Sequence, residues 1–222
     1  MTTVQVPVSE QSLAGDLEIP PAARGIVVFA HGSGSSRFSS RNQFIARSLV
    51  RDGLATLLID LLTAEEGATD QQTSAYRFNI PLLARRLITI IDWLATRSNT
   101  TALPIGLFGA STGAGAALIA AARRQQQVSA VVSRGGRPDL AGASLTGVLA
   151  PTLLIVGGLD TTVLHMNREA MGHIRGEVRL EIVAGATHLF EEPGALEQVA
   201  FLSGQWFVRH LRAAPMTSPT KA

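Results

Sequence analysis

The chain of 222 residues contains no cysteine, and lysine occurs once, at Lys221. The absence of cysteine excludes disulfide bonds, thiolate metal sites and a cysteine nucleophile. Tyrosine also occurs only once, and the 19 basic residues, almost all arginine, exceed the 17 acidic residues by two. Any chemistry must therefore be sought among hydroxyl, imidazole, carboxylate and guanidinium groups.

Long apolar runs are also missing. The longest uncharged stretch, residues 98–122, is interrupted by Pro104 and by several glycines, so it does not read as a membrane span. The first residues show no basic segment followed by an apolar one, which predicts a cytoplasmic protein without a secretory signal. The arginines are spread along the chain rather than clustered, which argues against nucleic acid or a membrane as partner.

Short apolar runs alternate with helical patterns from residue 25 onwards. The runs lie at residues 25–30, 54–59, 105–108, 128–132, 152–156 and 180–183. Continuous apolar strands separated by helices are typical of a parallel sheet that is covered on both faces. We therefore predict an α/β fold, a doubly wound, mostly parallel sheet with helices on both faces, preceded by an N-terminal hairpin.

The length fits one domain, which we place at residues 1–212, followed by a flexible C-terminal tail at residues 213–222. Only a short segment separates the strand at 128–132 from the next strand, so we expect no lid domain. Residues 60–74 form the longest polar connection, which could border a pocket or simply be a surface loop.

The segment Gly109–Gly113 has the pattern G-x-S-x-G, with Ser111 at its centre. An apolar run at residues 104–108 precedes it, and an alanine-rich run at residues 114–122 follows it. A strand that turns sharply into a helix lifts a serine hydroxyl out of the sheet, where it can attack a carbonyl. A small residue in a tight turn is the structural alternative, but the flanking strand and helix favour Ser111 as a nucleophile.

A serine nucleophile needs a base to take its proton and an acid to orient that base. In a doubly wound sheet such groups collect beyond the carboxyl ends of the strands. Asp160 follows the strand at 152–156, His188 follows the strand at 180–183, and the order Ser, Asp, His matches that of the elbow motif. Asp139 is the alternative acid, and a helix cap is the structural alternative for Asp160.

The oxyanion of a tetrahedral intermediate needs hydrogen-bond donors. The strand at 25–30 runs into His31–Gly34, whose H-G-x-G pattern is typical of a loop that supplies one backbone N–H. The residue after the nucleophile supplies the other, so we predict the amides of Ser33 and Thr112 as donors and a structural role for His31. A phosphate-binding loop is the alternative, although the segment lacks a G-K-[ST] ending.

Two arginines, Arg134 and Arg137, follow the strand at 128–132. A guanidinium binds carboxylate or phosphate bidentately, so either could hold an anionic group of the substrate. Arg37 and Arg41, beside the loop that follows the strand at 25–30, are candidates for the same role. Ordinary ion pairs or loop packing are the alternative interpretation. The sequence implies no metal and no organic cofactor.

Four segments together resemble the α/β-hydrolase fold, and within it the dienelactone hydrolase-like group of small members without a lid. These segments are His31–Gly34, Gly109–Gly113, Gly157–Asp160 and Gly185–Phe190, which in order and spacing cover nearly the whole chain. Dienelactone hydrolases proper use a cysteine nucleophile, and this chain has a serine in that position. The resemblance therefore implies ester hydrolysis by a serine rather than cleavage of dienelactone itself.

We expect a serine hydrolase that cleaves a small carboxylic ester or thioester through an acyl-enzyme. Ser111 would be the nucleophile, His188 the base and Asp160 the orienting acid. The expected partner is a small-molecule ester, and the sequence leaves the oligomeric state open. Acyl transfer to an alcohol or amine would use the same residues, and a non-catalytic binding protein that retains the fold is a further alternative.

Overall fold

The computed structural model describes residues 1–211, so the tail predicted at residues 213–222 lies outside the described residues. The described chain forms one sheet of eight strands: β1 (Thr2–Val8), β2 (Gln11–Glu18), β3 (Ile26–Ala30), β4 (Ala55–Ile59), β5 (Ile105–Ala110), β6 (Val128–Arg134), β7 (Thr152–Gly157) and β8 (Val178–Val183). The helices within it are α1 (Ser40–Arg51), α2 (Ala64–Thr73), α3 (Ile80–Thr96), α4 (Thr112–Arg123), α5 (Thr161–Met171) and α6 (Ala195–His210), with a 3₁₀ segment at Pro138–Gly147.

The strands lie in the order β1-β2-β4-β3-β5-β6-β7-β8. The hairpin of β1 and β2 joins the sheet by antiparallel pairing with β4, and every other pair is parallel. This confirms the predicted doubly wound, mostly parallel sheet. Because β4 and β5 lie on opposite sides of β3, the strand order reverses between β3 and β5, and ligands of such sheets bind beyond the carboxyl ends at that point.

Helices cover both faces of the sheet and bury a separate core against each. Helices α3 and α4 pack together on one face, while α1 and α6 pack together on the other. Strands β3, β4 and β5 are buried along their whole length because both of their faces are covered. An apolar stripe of α3 faces the core, namely Leu83, Leu87, Ile90, Ile91 and Leu94.

The polar connection at residues 60–74 is not simply a surface loop, because it contains helix α2. Thr63 caps this helix: its hydroxyl accepts a hydrogen bond from the Glu66 amide, and the Glu66 carboxylate accepts one from the Thr63 amide. The T-x-x-E pattern of this capping box was present in the sequence. The helix was not predicted because α2 is polar, with Asp70 its one buried residue, and therefore shows no apolar stripe.

The middle of β5 depends on a glycine. A Cβ atom at Gly106 would lie 2.6 Å from the ring of Phe207, which is fully buried on α6. We expect Gly106→Ala to lower the free energy of unfolding by about 1–3 kcal/mol, because the ring has no room to move aside. Urea denaturation measures this change.

Gly67→Ala in α2 is the matched control, since nothing lies within 4 Å of a Cβ atom at Gly67. This substitution should raise stability by about 0.5–1 kcal/mol through helix propensity. Equal effects of the two substitutions would contradict the packing of α6 against β5.

Candidate active site

Ser111 occupies the turn between β5 and α4. Its backbone angles, φ 50° and ψ −122°, are ones that residues other than glycine rarely adopt. The glycines on either side allow this turn: a Cβ atom at Gly109 would lie 2.4 Å from Cα of Ala114, and one at Gly113 would lie 2.3 Å from the carbonyl oxygen of Ala30. The turn is therefore a tight elbow, pressed against the end of β3, with a serine at its apex.

The main chain of Ser111 is held by the end of β6. Its N–H donates to the carbonyl oxygen of Arg134 at 3.2 Å, and its carbonyl oxygen accepts from the amides of Arg137 at 3.1 Å and Ala114 at 3.1 Å. No hydrogen bond caps α4 through the Ser111 side chain. The elbow is thus fixed on both sides through the backbone, while the hydroxyl is not used to cap the helix.

Asp160 and His188 meet at the ends of β7 and β8. Nδ1 of His188 lies 2.6 Å from Oδ2 of Asp160. Asp160 stands at the start of α5 but its side chain makes no capping bond, so the carboxylate is directed to the imidazole. The two loops are joined by a hydrogen bond of 2.9 Å from the Leu159 amide to the carbonyl oxygen of Ala186. Because Nδ1 faces Asp160, Nε2 is the nitrogen left to exchange a proton.

The imidazole of His188 lies beside the end of β6, the strand whose last residue binds the Ser111 amide. A Cβ atom built on Gly135 would lie 3.5 Å from Cε1 of His188, and Gly135 directly follows Arg134, which binds the Ser111 amide. Two residues beyond the histidine, Phe190 is buried with a φ of 57° and anchors its loop. The structure thus gathers Ser111, Asp160 and His188 at the carboxyl edge of the sheet.

Asp139, the alternative acid, is engaged elsewhere. Its carboxylate forms a bidentate ion pair with Arg137, at 2.9 Å to Nε and 2.7 Å to Nη2. Both side chains are about one third exposed. The structure therefore brings Asp160, and not Asp139, to His188, and it occupies the Arg137 guanidinium with a neighbouring carboxylate.

The predicted oxyanion donors adjoin each other. Thr112 begins α4, so its amide is one of the unpaired N–H groups at a helix N-terminus. The Ser33 amide donates to Oγ1 of Thr112 at 2.9 Å. This hydrogen bond, which the sequence did not indicate, joins the loop after β3 to the elbow and takes up the Ser33 donor in this structure.

The loop after β3 is held by His31 and Arg37. Nε2 of His31 accepts from the Leu61 amide at 3.1 Å, and Nδ1 donates to the carbonyl oxygen of Gly32 at 2.9 Å. Burial lowers the pKa of His31, which favours the neutral imidazole that this pattern requires. Arg37 forms ion pairs with Asp16 and Asp60. These contacts agree with the structural role predicted for His31.

The side chain of Arg134 is buried at the same edge, with its guanidinium 5.7 Å from the ring centre of Phe190. Burial lowers the pKa of Arg134, and repulsion from the like charge of Arg41, at the start of α1, lowers it further. The sequence suggested Arg41 as a possible anion-binding residue beside the loop after β3, but it did not predict that Arg41 lies near Arg134. Its nearness follows from the packing of α1 on the sheet, which no local motif reports.

Two open grooves lie elsewhere. One of about 500 Å³ runs between α1 and α6, and one of about 340 Å³ lies between the 3₁₀ segment and α5. Neither is lined by Ser111, Asp160 or His188. Among residues 1–211, no group of three or more histidine, aspartate or glutamate side chains is arranged to hold a metal ion. Within the same residues, no helix combines the length and apolarity needed to cross a membrane.

The sheet order and the serine elbow define an α/β-hydrolase. Residues 13–201 match the model of the dienelactone hydrolase family, and the chain belongs to that family. It is 56% identical to a dienelactone hydrolase from Anabaena variabilis of known structure, over 95% of this chain and 98% of that one, with a TM-score of 0.94.

Two further similarities concern a longer protein and a more distant one. The chain is 59% identical over 208 residues to a Mycobacterium tuberculosis protein that carries the provisional name of phosphoribosyl transferase. That match covers 94% of this chain but 46% of the relative, so the chain spans about half the length of the curated relatives it matches. Est1E from Butyrivibrio proteoclasticus, solved with ferulic acid bound, shares the fold at 14% identity, with a TM-score of 0.80 over 93% of this chain and 98% of that one.

The strained backbone of Ser111 predicts an unusual stability order. The positive φ at this position strains the backbone of a serine or an alanine and lowers the stability of the folded state, whereas a glycine adopts it without strain. We expect Ser111→Gly to be about 1 kcal/mol more stable than Ser111→Ala, as measured by urea denaturation. In the middle of α1 the order should reverse, with Ser48→Gly less stable than Ser48→Ala. The same order at both positions would contradict the elbow conformation.

Proposed function

We propose that the protein is a serine hydrolase that cleaves a small carboxylic ester or thioester through an acyl-enzyme. The observation that carries the proposal is the hydrogen bond of 2.6 Å between Asp160 and His188, placed beside a strained serine elbow. Structural packing alone does not require a strained serine, a carboxylate and an imidazole after β5, β7 and β8 at one edge of the sheet, whereas nucleophilic catalysis does.

In the proposed acylation, Oγ of Ser111 attacks the ester carbonyl while Nε2 of His188 takes the hydroxyl proton. Asp160 holds the imidazole through Nδ1 and stabilises its protonated form. The negative charge that develops on the carbonyl oxygen is met by the amides at the start of α4 and in the loop after β3. His188 then donates its proton to the departing alcohol or thiol, and an acyl-Ser111 ester remains.

Deacylation repeats these steps with water. His188 takes a proton from the water, which attacks the acyl carbonyl, and the proton then returns to Oγ of Ser111 as the carboxylic acid leaves. Since Ser33 donates to Thr112 in this structure, its amide must exchange that hydroxyl for the substrate oxygen. The proposed cycle uses side chains and main-chain amides of this chain together with water.

Membership of the dienelactone hydrolase family favours hydrolysis over acyl transfer or simple binding at this site. The relative of known structure at 56% identity is named a dienelactone hydrolase, and the more distant Est1E was solved with ferulic acid, a carboxylic acid. Acyl transfer would use the same three residues, and product analysis with alcohol or amine acceptors separates it from hydrolysis. A binding protein that retains the fold would show no turnover that depends on Ser111.

Phosphoribosyl transfer is a second candidate, because relatives at 59% identity carry that name. That name is given to proteins about twice as long as the matched region. A serine nucleophile that forms acyl-enzymes is also not needed to transfer a ribosyl group. Incubation with phosphoribosyl pyrophosphate and nucleobases tests it directly. Release of pyrophosphate that survives Ser111→Ala would favour this candidate over the hydrolase.

Replacement of the nucleophile tests the proposal. Ser111→Ala should lower the kcat for short p-nitrophenyl esters by about 10³-fold or more, because no other group can form the acyl-enzyme. A fluorophosphonate probe should label the wild-type protein and not this variant. Ser98→Ala, at an exposed position after α3, is the matched control and should keep both properties. Undiminished turnover in Ser111→Ala would refute the proposal.

The two candidate acids can be separated by isosteric amides. Asp160→Asn should lower kcat by about 10⁴-fold, because an amide at this position favours the wrong imidazole tautomer. Asp139→Asn should change kcat at most about threefold, since it weakens only a part-exposed ion pair with Arg137. Steady-state kinetics of both variants decide between them, and a crippled Asp139→Asn would reverse the assignment.

A further inference from the structure

Strand β8 ends the sheet with one open edge. It pairs with β7 on one side, and within residues 1–211 no strand pairs with its other side. Every residue of β7 is buried, whereas in β8 only Val183 is buried. The pairing with β7 runs from Val178 to Val183 without a register shift. A regular edge of this kind offers a row of unpaired N–H and C=O groups to another strand.

The two edges of the sheet differ in their protection. Strand β1, at the opposite edge, carries Pro7, which has no N–H to donate. Proline and bulges are common means of preventing an edge strand from pairing with another chain. Strand β8 has neither, and the apolar side chain of Ile182 on it is 42% exposed. Of the two edges, β8 is therefore the one suited to pairing.

The hydrogen bonds to β7 show which groups of β8 face the open side. The Thr152 amide donates to the carbonyl oxygen of Glu177 at 2.8 Å, and the Gly158 amide donates to that of Val183 at 2.9 Å. In a parallel pair, alternate residues of a strand bond to the same neighbour. The odd-numbered residues from 177 to 183 therefore bond to β7. The outward N–H and C=O groups belong to the even-numbered residues, namely Val178, Leu180 and Ile182.

Two opposite charges lie on either side of the middle of the strand. Arg179 and Glu181 are two residues apart, so their side chains lie on one face of the sheet. Nη2 of Arg179 lies 2.5 Å from Oε1 of Glu181, and the arginine side chain is 62% exposed. If a second copy of β8 paired in antiparallel fashion about a two-fold axis at Leu180, each Arg179 would face Glu181 of the other copy. The charges of β8 are thus complementary to those of β8 itself.

The same register also satisfies the backbone. Antiparallel pairing requires that outward-facing residues stand opposite each other, and an axis at Leu180 pairs Leu180 with Leu180 and Val178 with Ile182. An axis at Arg179 or at Glu181 would keep this condition but would place two like charges opposite each other, which is destabilising. A larger shift would move part of β8 beyond the end of the other strand. The register centred on Leu180 is therefore favoured.

The side chains of the hydrogen-bonded pairs match as well. Leu180 packs against Val163 and Leu164 of α5, so the even-numbered residues of β8 lie on the face that α5 covers. All three of these residues are apolar. In the register centred on Leu180, the exposed Ile182 would lie against Val178 of the second copy, and cross-strand apolar pairs of this kind stabilise a sheet.

We propose that the open edge of β8 is the docking site for β8 of a second copy of this chain, paired antiparallel with the two-fold axis at Leu180. The two eight-stranded sheets would then form one continuous sheet. The occupant follows from the strand itself, because its outward hydrogen-bonding groups and its charges are complementary in the same register. This assembly is independent of the reaction proposed for Ser111.

Charge reversal tests the pairing. In Glu181→Arg the facing positions are all arginine, and in Arg179→Glu they are all glutamate. Each variant alone should therefore raise the dimer dissociation constant by at least about tenfold. In an equimolar mixture, two arginines of one variant face two glutamates of the other, so a heterodimer should form with nearly the wild-type dissociation constant. Sedimentation equilibrium at low salt, where charges are least screened, measures all three samples.

The mixture separates pairing between copies from effects within one chain, because the pair of Arg179 with Glu181 inside each chain is broken in both variants. Glu10→Arg, in the exposed turn between β1 and β2, is the matched control and should keep the wild-type dissociation constant. Two weakened variants that do not recover when mixed would overturn the proposed register.

A backbone variant tests the hydrogen bonds. Ile182→Pro removes one outward N–H from each copy and leaves the bonds to β7 in place, so it should raise the dimer dissociation constant by at least about tenfold. Ile182→Val keeps the N–H and should remain a dimer. Circular dichroism checks that the proline variant is folded, and if it is not, the mixing experiment still decides.

Two further outcomes would overturn the proposal. One is a wild-type protein that sediments as a monomer at about 100 µM. In that case, slow hydrogen exchange at the amides of Val178, Leu180 and Ile182 would show that chain outside residues 1–211 covers the edge. The other is a dimer that persists in both charge variants and in Ile182→Pro, which would place the contact on another surface, such as the groove between α1 and α6.

Discussion

The close approach of the serine elbow to the end of β3 is the constraint on which the site depends. Gly113 sits where any side chain would collide with the carbonyl oxygen of Ala30, and Gly109 sits where it would collide with Ala114. This contact fixes the start of α4, forces Ser111 into its strained conformation and brings the Thr112 hydroxyl to the Ser33 amide. The packing of the elbow after β5 against the end of β3 therefore positions both Ser111 and the loop after β3.

The order of the strands places the remaining groups around that contact. Since β6, β7 and β8 follow β5 in parallel, their carboxyl ends lie at the same edge of the sheet. Asp160 and His188 extend from two of these ends, and Arg134 completes the third. Gly157 packs closely under the loop that carries His188, because a Cβ atom at Gly157 would lie 2.4 Å from the backbone of that loop. This close packing lets the loop of Asp160 meet the loop of His188. The geometry thus follows from glycines at strand ends.

Much of this arrangement could be predicted because it has a local signal. Buried strands appear in the sequence as apolar runs, and the elbow appears as glycines spaced around Ser111. The fold class and the position of the elbow could therefore be predicted from the sequence. Helix α2 was missed because its stability comes from a capping box rather than an apolar stripe. The partners of charged groups were not predictable, because they arise from tertiary packing. Examples are the pairing of Asp139 with Arg137 and the burial of Nε and Nη1 of Arg134, which find no hydrogen-bond acceptor among residues 1–211.

Membership of the dienelactone hydrolase family defines the fold, while the chemistry rests on whether Ser111 carries the acyl group. The most direct measurement is mass spectrometry of protein mixed briefly with p-nitrophenyl acetate and quenched in acid. The account predicts one acetyl group, located by fragmentation on Ser111 within the tryptic peptide 98–123. Steady release of p-nitrophenol with no acetyl group on Ser111, or with the acetyl group on another side chain, would contradict it.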